Sequence, residues 1–101
     1  MTLLIDKVKE ISMAKKKYYY VVMSVKGTMI HDRYERAVYC RDKYLGRSPT
    51  IIKCDTLEEA QERARDWLAM EARFYGRVAP DVIEFDKIYF VDSLPLMAAK
   101  N

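Results

Sequence analysis

Three lysines run directly into three tyrosines at Lys15, Lys16, Lys17, Tyr18, Tyr19 and Tyr20. An ammonium beside an exposed ring suits a polyanion twice over, because the charge attracts phosphate and the ring offers a face on which a base can stack. Exposed tyrosine is equally enriched in protein–protein interfaces, and such a junction is also the ordinary solvated entrance to a strand. Further bases follow at Lys26, Arg33, Arg36, Arg41, Lys43 and Arg47, with Tyr34, Tyr39 and Tyr44 among them. Tyr18, Tyr19 and Tyr20 cannot all enter a core from one strand, so at least one of them faces outward. The other three lie five residues apart, which on a regular helix spreads them around it.

Catalytic chemistry finds little to work with. The sequence has neither a phosphate-binding glycine loop nor a Gly-x-Ser-x-Gly turn. His31–Asp32 is the one neighbouring His–carboxylate pair, but adjacent residues seldom face one another, and a turn histidine beside a helix cap is the plainer reading. Asp55, Glu58, Glu59 and Glu62 could offer oxygens to Mg²⁺, yet they stand where a helix begins and suit the positive end of its dipole. With one histidine and no closely spaced cysteine pair, a zinc site is not expected. Cys40 and Cys54 read as buried free thiols, and a disulfide between them would need a Cα separation that sequence does not give. The expectation is a binding protein without enzymatic activity, cofactor or metal.

Charge is distributed unevenly. Residues 1–53 hold twelve Lys and Arg against five acids, and residues 54–101 hold six against ten, for a formal net charge of +3. Such asymmetry suits a basic face that meets phosphates, unless the fold sets the two signs side by side. The chain of 101 residues, half of them hydrophobic and a third charged, fits one domain with a single modest core. No uncharged apolar run approaches the roughly 18 residues of a membrane span. Asp6 and Lys7 interrupt the apolar stretch a signal peptide would need, so a cytoplasmic protein is expected.

These residues must be positioned by a small set of elements. Leu4, Val8 and Ile11 fall on one side of a short amphipathic helix, and Met13 offers a second start, so residues 1–12 read as an extension. Tyr18 to Val25 is a strand apolar on both faces for most of its length, which suits a central position. Gly27 then supplies a tight turn and "TMIH" the second arm of a hairpin. "DRYERAVYCRDKYLG" reads as a helix with Asp32 and Glu35 in capping-box spacing and Gly46 at its end. "TIIKC" is a short buried strand. "DTLEEAQERARDWLAMEARFYG" is a second helix, capped by Asp55 with Glu58 or Thr56 with Glu59. Its apolar stripe is Leu57, Ala60, Ala64, Trp67, Leu68 and Phe74, and Gly76 ends it. "VIEFDKIYFVD" reads as a fourth strand, and residues 93–101 as a flexible tail. The expected class is α+β: a small, mostly antiparallel sheet of three to four strands with two main helices packed on it, plus the short N-terminal helix.

Lys15 to Val22 and Thr56 to Ala60 together resemble the N-terminal hybrid-binding domain of many ribonucleases H, also called the viroplasmin N-terminal domain. Its members open with lysines running into "KYYVV" and carry "TLEEA" at the second helix. The resemblance spans residues 15–75. It implies a three-stranded antiparallel sheet with two helices, in the order strand, strand, helix, strand, helix. It also implies that the protein clamps an RNA–DNA hybrid or duplex RNA, through loop amides, a stacking aromatic and basic residues. The matching positions are Lys17, Lys26, Gly27, Tyr34 and Lys43, with Tyr34 standing where members usually carry tryptophan. The expected contact residues are therefore Lys15, Lys16, Lys17, Lys26, Gly27, Arg33, Tyr34, Arg36, Lys43 and Arg47. The other class the residues leave open is a small protein-binding adaptor or inhibitor of viral or phage type, acting through the tyrosine-rich surface; either protein could be oligomeric.

Overall fold

The structure, a computed structural model, describes residues 16–46 and 50–98. The hairpin β1 (Tyr19–Ser24) and β2 (Gly27–His31) leads into α1 (Tyr34–Cys40), which continues as a π-helical turn over Arg41–Leu45. Then come β3 (Thr50–Cys54), α2 (Leu57–Phe74), β4 (Tyr89–Phe90) and a 3₁₀ turn at Val91–Ser93. The strands form one sheet in the order β3-β1-β2-β4, with every neighbouring pair antiparallel. The class is α+β, as the sequence implies. The helix expected over residues 1–12 lies outside the described residues.

Strand alternation explains why β1 is apolar on both faces. Val22 opposite Met29 joins Ala37, Cys40 and Leu45 on one side of the sheet. Val21 opposite Ile30 joins Cys54, Ala60, Ala64, Leu68 and Ala72 on the other. Thus α1 and α2 cover opposite faces, and β1 sits in the middle of three layers. Among the described residues every buried side-chain nitrogen and oxygen has a hydrogen-bond partner. Ser24 Oγ donates to the Leu45 carbonyl at 2.6 Å, and Thr28 Oγ1 to the Val22 carbonyl at 2.7 Å.

Helix α2 follows from local chemistry. Thr56 Oγ1 at the N-cap accepts the Glu59 N–H at 3.1 Å, as in a capping box, while Glu59 Oε1 reaches back one residue further and accepts the Asp55 N–H at 3.1 Å. Ala60, Ala64, Leu68 and Ala72 recur every fourth residue and face the sheet. The helix closes with Gly76 at φ 65°, the Gly76 N–H on the Arg73 carbonyl and the Arg77 N–H on the Ala72 carbonyl. Trp67 is half-buried, and its Nε1 donates to the Ser24 carbonyl at 2.8 Å. Phe74 departs from the expected stripe and is 76% exposed. At about 100° per residue it lies roughly 120° around the helix from Leu68.

Three further expectations are corrected. Asp32 does not cap α1: Arg33 occupies the N-cap with no side-chain cap bond, and the Asp32 carboxylate faces Lys17 at 3.4 Å and His31 Nδ1 at 3.2 Å instead. The fourth strand shrinks to Tyr89–Phe90. Asp86 takes φ 60°, which a strand cannot accommodate, while its N–H bonds the Ile30 carbonyl at 2.8 Å. Residues 94–97, expected to belong to a free tail, are fastened. Pro95 accepts the Val78 N–H, Met97 donates to the Gly76 carbonyl, and Arg77 Nη1 donates to the Leu94 carbonyl at 2.6 Å.

Candidate nucleic-acid interface

The face of the sheet that carries α1 gathers most of the expected residues. Tyr20 pairs across the sheet with Lys53 and with His31, so all three share this face. Tyr18, two residues earlier, lies under Lys53 at 4.3 Å and near Lys16 at 5.3 Å from its ring centroid. Tyr20 meets Tyr34 edge to face, with centroids 5.5 Å apart. Along α1, Arg36 lies 5.7 Å from the Tyr39 ring, and Lys43 lies 5.6 Å from Tyr39 and 5.7 Å from Tyr44. Lys43, four residues after Tyr39 and next to Tyr44 on the π-helical turn, lies within reach of both rings. Tyr34, Tyr39 and Tyr44 are all exposed.

Electrostatics favour an anion here. The Tyr39 hydroxyl beside Lys43 pushes its ammonium pKa above the ordinary lysine value. A groove of about 430 Å³ between the end of β2 and α1 is lined by His31, Arg33, Glu35, Arg36 and Tyr39. His31 fixes its geometry: Nδ1 accepts the Arg33 N–H at 3.0 Å, Nε2 lies 3.5 Å from Asp86 Oδ1, and the ring packs 5.2 Å from Phe85. This is a structural histidine that ties β2, the start of α1 and the Phe85 loop together. Arg33 to Leu45 holds four bases and two acids, whereas α2 holds five acids and three bases. The basic and acid-rich helices are thus separated by the thickness of the sheet.

Not every expected residue belongs to this surface. Lys16 and Lys17 reach it but pair with Asp55 at 3.6 Å and Asp32 at 3.4 Å. Lys26 sits at the hairpin tip, at the far end of β1 from them, in a cleft of about 290 Å³ shared with Leu45, Gly46 and Trp67. Gly27 is neither the turn nor an open loop. Val25 and Lys26 make the turn without positive φ, and Gly27 is buried beneath β4, where an added Cβ would overlap the Tyr89 carbonyl oxygen. Lys15 and Arg47 lie outside the described residues. Lys53 is the member that sequence reasoning missed, hidden in a strand read as buried. Its signal was a lysine inside an apolar run, the mark of an edge strand, and β3 is an edge.

Cys40 and Cys54 are buried free thiols, each with its pKa pushed up by burial. Among the described residues no group of His, Cys, Asp and Glu is placed to hold a metal ion, and no helix is long and apolar enough to cross a membrane. No protein-family model, curated protein or solved structure matches the chain.

Proposed function

We propose that this protein is a non-enzymatic nucleic-acid-binding module whose α1 face holds the phosphates of an RNA-containing duplex. The observation that carries the reading is the set of cations beside tyrosine rings on the α1 side of the sheet, at half-buried Tyr18 and at exposed Tyr39 and Tyr44. It comprises Lys16 and Lys53 at Tyr18, Arg36 and Lys43 at Tyr39, and Lys43 at Tyr44. Exposed ion pairs such as Lys16–Asp55 and Lys17–Asp32 contribute at most about 1 kcal/mol, so a polyanion can displace them. Arg33 and Arg36 in the groove can grip one phosphate with their planar forks.

The preference for RNA-containing duplex rests on the resemblance at Lys15–Val22 and Thr56–Ala60. It is supported by the order strand, strand, helix, strand, helix from Tyr19 to Phe74. Tyr34 supplies the ring at the start of the first helix, and Gly27, covered by β4, is not among the contacts. The exposure of Tyr34, Tyr39 and Tyr44 equally favours a second reading, a protein-binding adaptor that uses the same surface.

Fluorescence anisotropy with matched hybrid, RNA and DNA duplexes over a salt series tests both. Binding is expected to fall steeply with salt, and the double variant R36Q/K43Q should lower the salt slope by about 0.7–0.9 per lost contact. Hybrid and RNA should bind more tightly than DNA, since the 2′-hydroxyl distinguishes them. No binding at about 50 mM salt would leave the protein-binding reading.

A further inference from the structure

The outer side of α2 is a second surface, separated from the α1 face by the sheet and independent of the nucleic-acid reading. Along it, Glu58, Glu62, Arg65, Asp66, Ala69 and Arg73 are all exposed. The acids gather toward the start of the helix and the bases toward its end. Two grooves flank this face. One of about 270 Å³ is lined by Glu58, Gln61, Glu62, Val82 and Ile83. The next, of about 300 Å³, is lined by Ala69, Arg73, Arg77, Val78, Pro80 and Met97. Arg65 and Asp81 line both, so the grooves adjoin, the first acidic and the second basic. Val78, Val82 and Met97 are 46%, 60% and 57% exposed and give this face apolar surface beside its charges.

We infer that two copies of this chain associate through antiparallel pairing of α2, about a two-fold axis that crosses the helix between Arg65 and Asp66. That operation sets Glu58 against Arg73 of the second copy, Glu62 against Ala69, and Arg65 against Asp66. Away from the axis each charge in the register meets the opposite charge or a small apolar side chain; beside the axis Arg65 and Asp66, about 100° apart around the helix, each also stand next to their own counterparts. A two-fold interface uses the same patch on both copies, so it demands this kind of self-complementarity. A parallel pairing would set like charge on like. The same axis lays the basic groove of one copy over the acidic groove of the other. Arg65, 3.6 Å from its neighbour Asp66 within one chain, exchanges that exposed contact for Asp66 of the second copy. At 1.5 Å per residue α2 offers a seam about 27 Å long, and Ala69 lets the helix axes approach. The α1 faces then lie on the two outer sides of the dimer, free for other contacts.

Sedimentation equilibrium of the full chain over a concentration series reads the outcome. The wild type should approach twice the chain mass of 11.9 kDa and dissociate with salt. Glu58→Arg and Arg73→Glu should each weaken association by about a hundredfold or more, since each brings like charges together. An equimolar mixture of the two single variants should form a heterodimer, because one carries only positive charge at these positions and the other only negative. Ala69→Glu, set against Glu62 of the second copy at an exposed helix position, should also give monomer with unchanged circular dichroism. A wild type that stays monomeric throughout, a dimer indifferent to the reversals, or variants that fail to associate on mixing would each overturn the inference.

Discussion

Gly27→Ala tests whether this glycine serves the hairpin turn or the docking of β4. The new Cβ would overlap the Tyr89 carbonyl oxygen and lie 2.9 Å from the Tyr89 carbonyl carbon and 3.1 Å from Phe90 Cα. All three are backbone atoms, so no side chain can swing away, and β4 must separate from β2. What separates with it is the attachment of Tyr89, Val91 and Leu94, all buried against α2 and the sheet. Full exposure of such side chains costs about 1.5–3 kcal/mol each. Partial detachment of the three therefore predicts a loss of about 3–5 kcal/mol, out of the roughly 5–15 kcal/mol typical of a domain. The melting temperature should fall by at least about 12 °C. Gly46→Ala is the control: Gly46 has φ 95° and ψ 162° but open space around a Cβ, so only backbone strain of about 1–3 kcal/mol applies. Urea unfolding followed by Trp67 fluorescence measures both. A Gly27→Ala loss under about 1 kcal/mol, or one no larger than that of Gly46→Ala, would refute the close-approach argument.

Thr56→Ala removes the oxygen that accepts the Glu59 N–H and should cost about 1 kcal/mol by urea unfolding. Trp67→Phe leaves the Ser24 carbonyl without its indole donor and should lower stability by about 1–3 kcal/mol, measured by thermal melting followed by circular dichroism. Burial holds both thiols above their ordinary pKa of 9.0, so the unfolded chain loses these protons first as pH rises. Stability should therefore fall with pH above that value, and Cys40→Ser/Cys54→Ser should flatten the slope of melting temperature against pH. Lys53→Gln should weaken duplex binding as much as Lys43→Gln, in anisotropy titrations at fixed low salt, although only Lys43 stands out in the sequence.

Much of the fold was legible because its causes are local. The Thr56–Glu59 capping box, the alanine repeat and Gly76 specify α2 through contacts within a few residues of one another. The two-faced apolar pattern of β1 marks a central strand because alternation has a period of two. Readings failed where distant residues compete for the same group. Asp32 was available to cap α1, but Lys17, brought close by the hairpin, pairs with its carboxylate. The apolar run after Pro80 looked like one strand, but Asp86 turns the chain, and only Tyr89–Phe90 finds an open edge on β2.

The candidate interface divides along the same line. The sequence by itself determined that the first half of the chain is rich in lysine, arginine and tyrosine and the second half in acids, since composition needs no fold. It did not determine whether those charges would cancel or separate. That was decided when the two helices took opposite faces of one sheet, a choice made by which residues of β1 pack against which helix. The same packing placed Lys53 over Tyr18 and closed Gly27 beneath β4, through contacts between residues some thirty-five and sixty positions apart that no local spacing encodes.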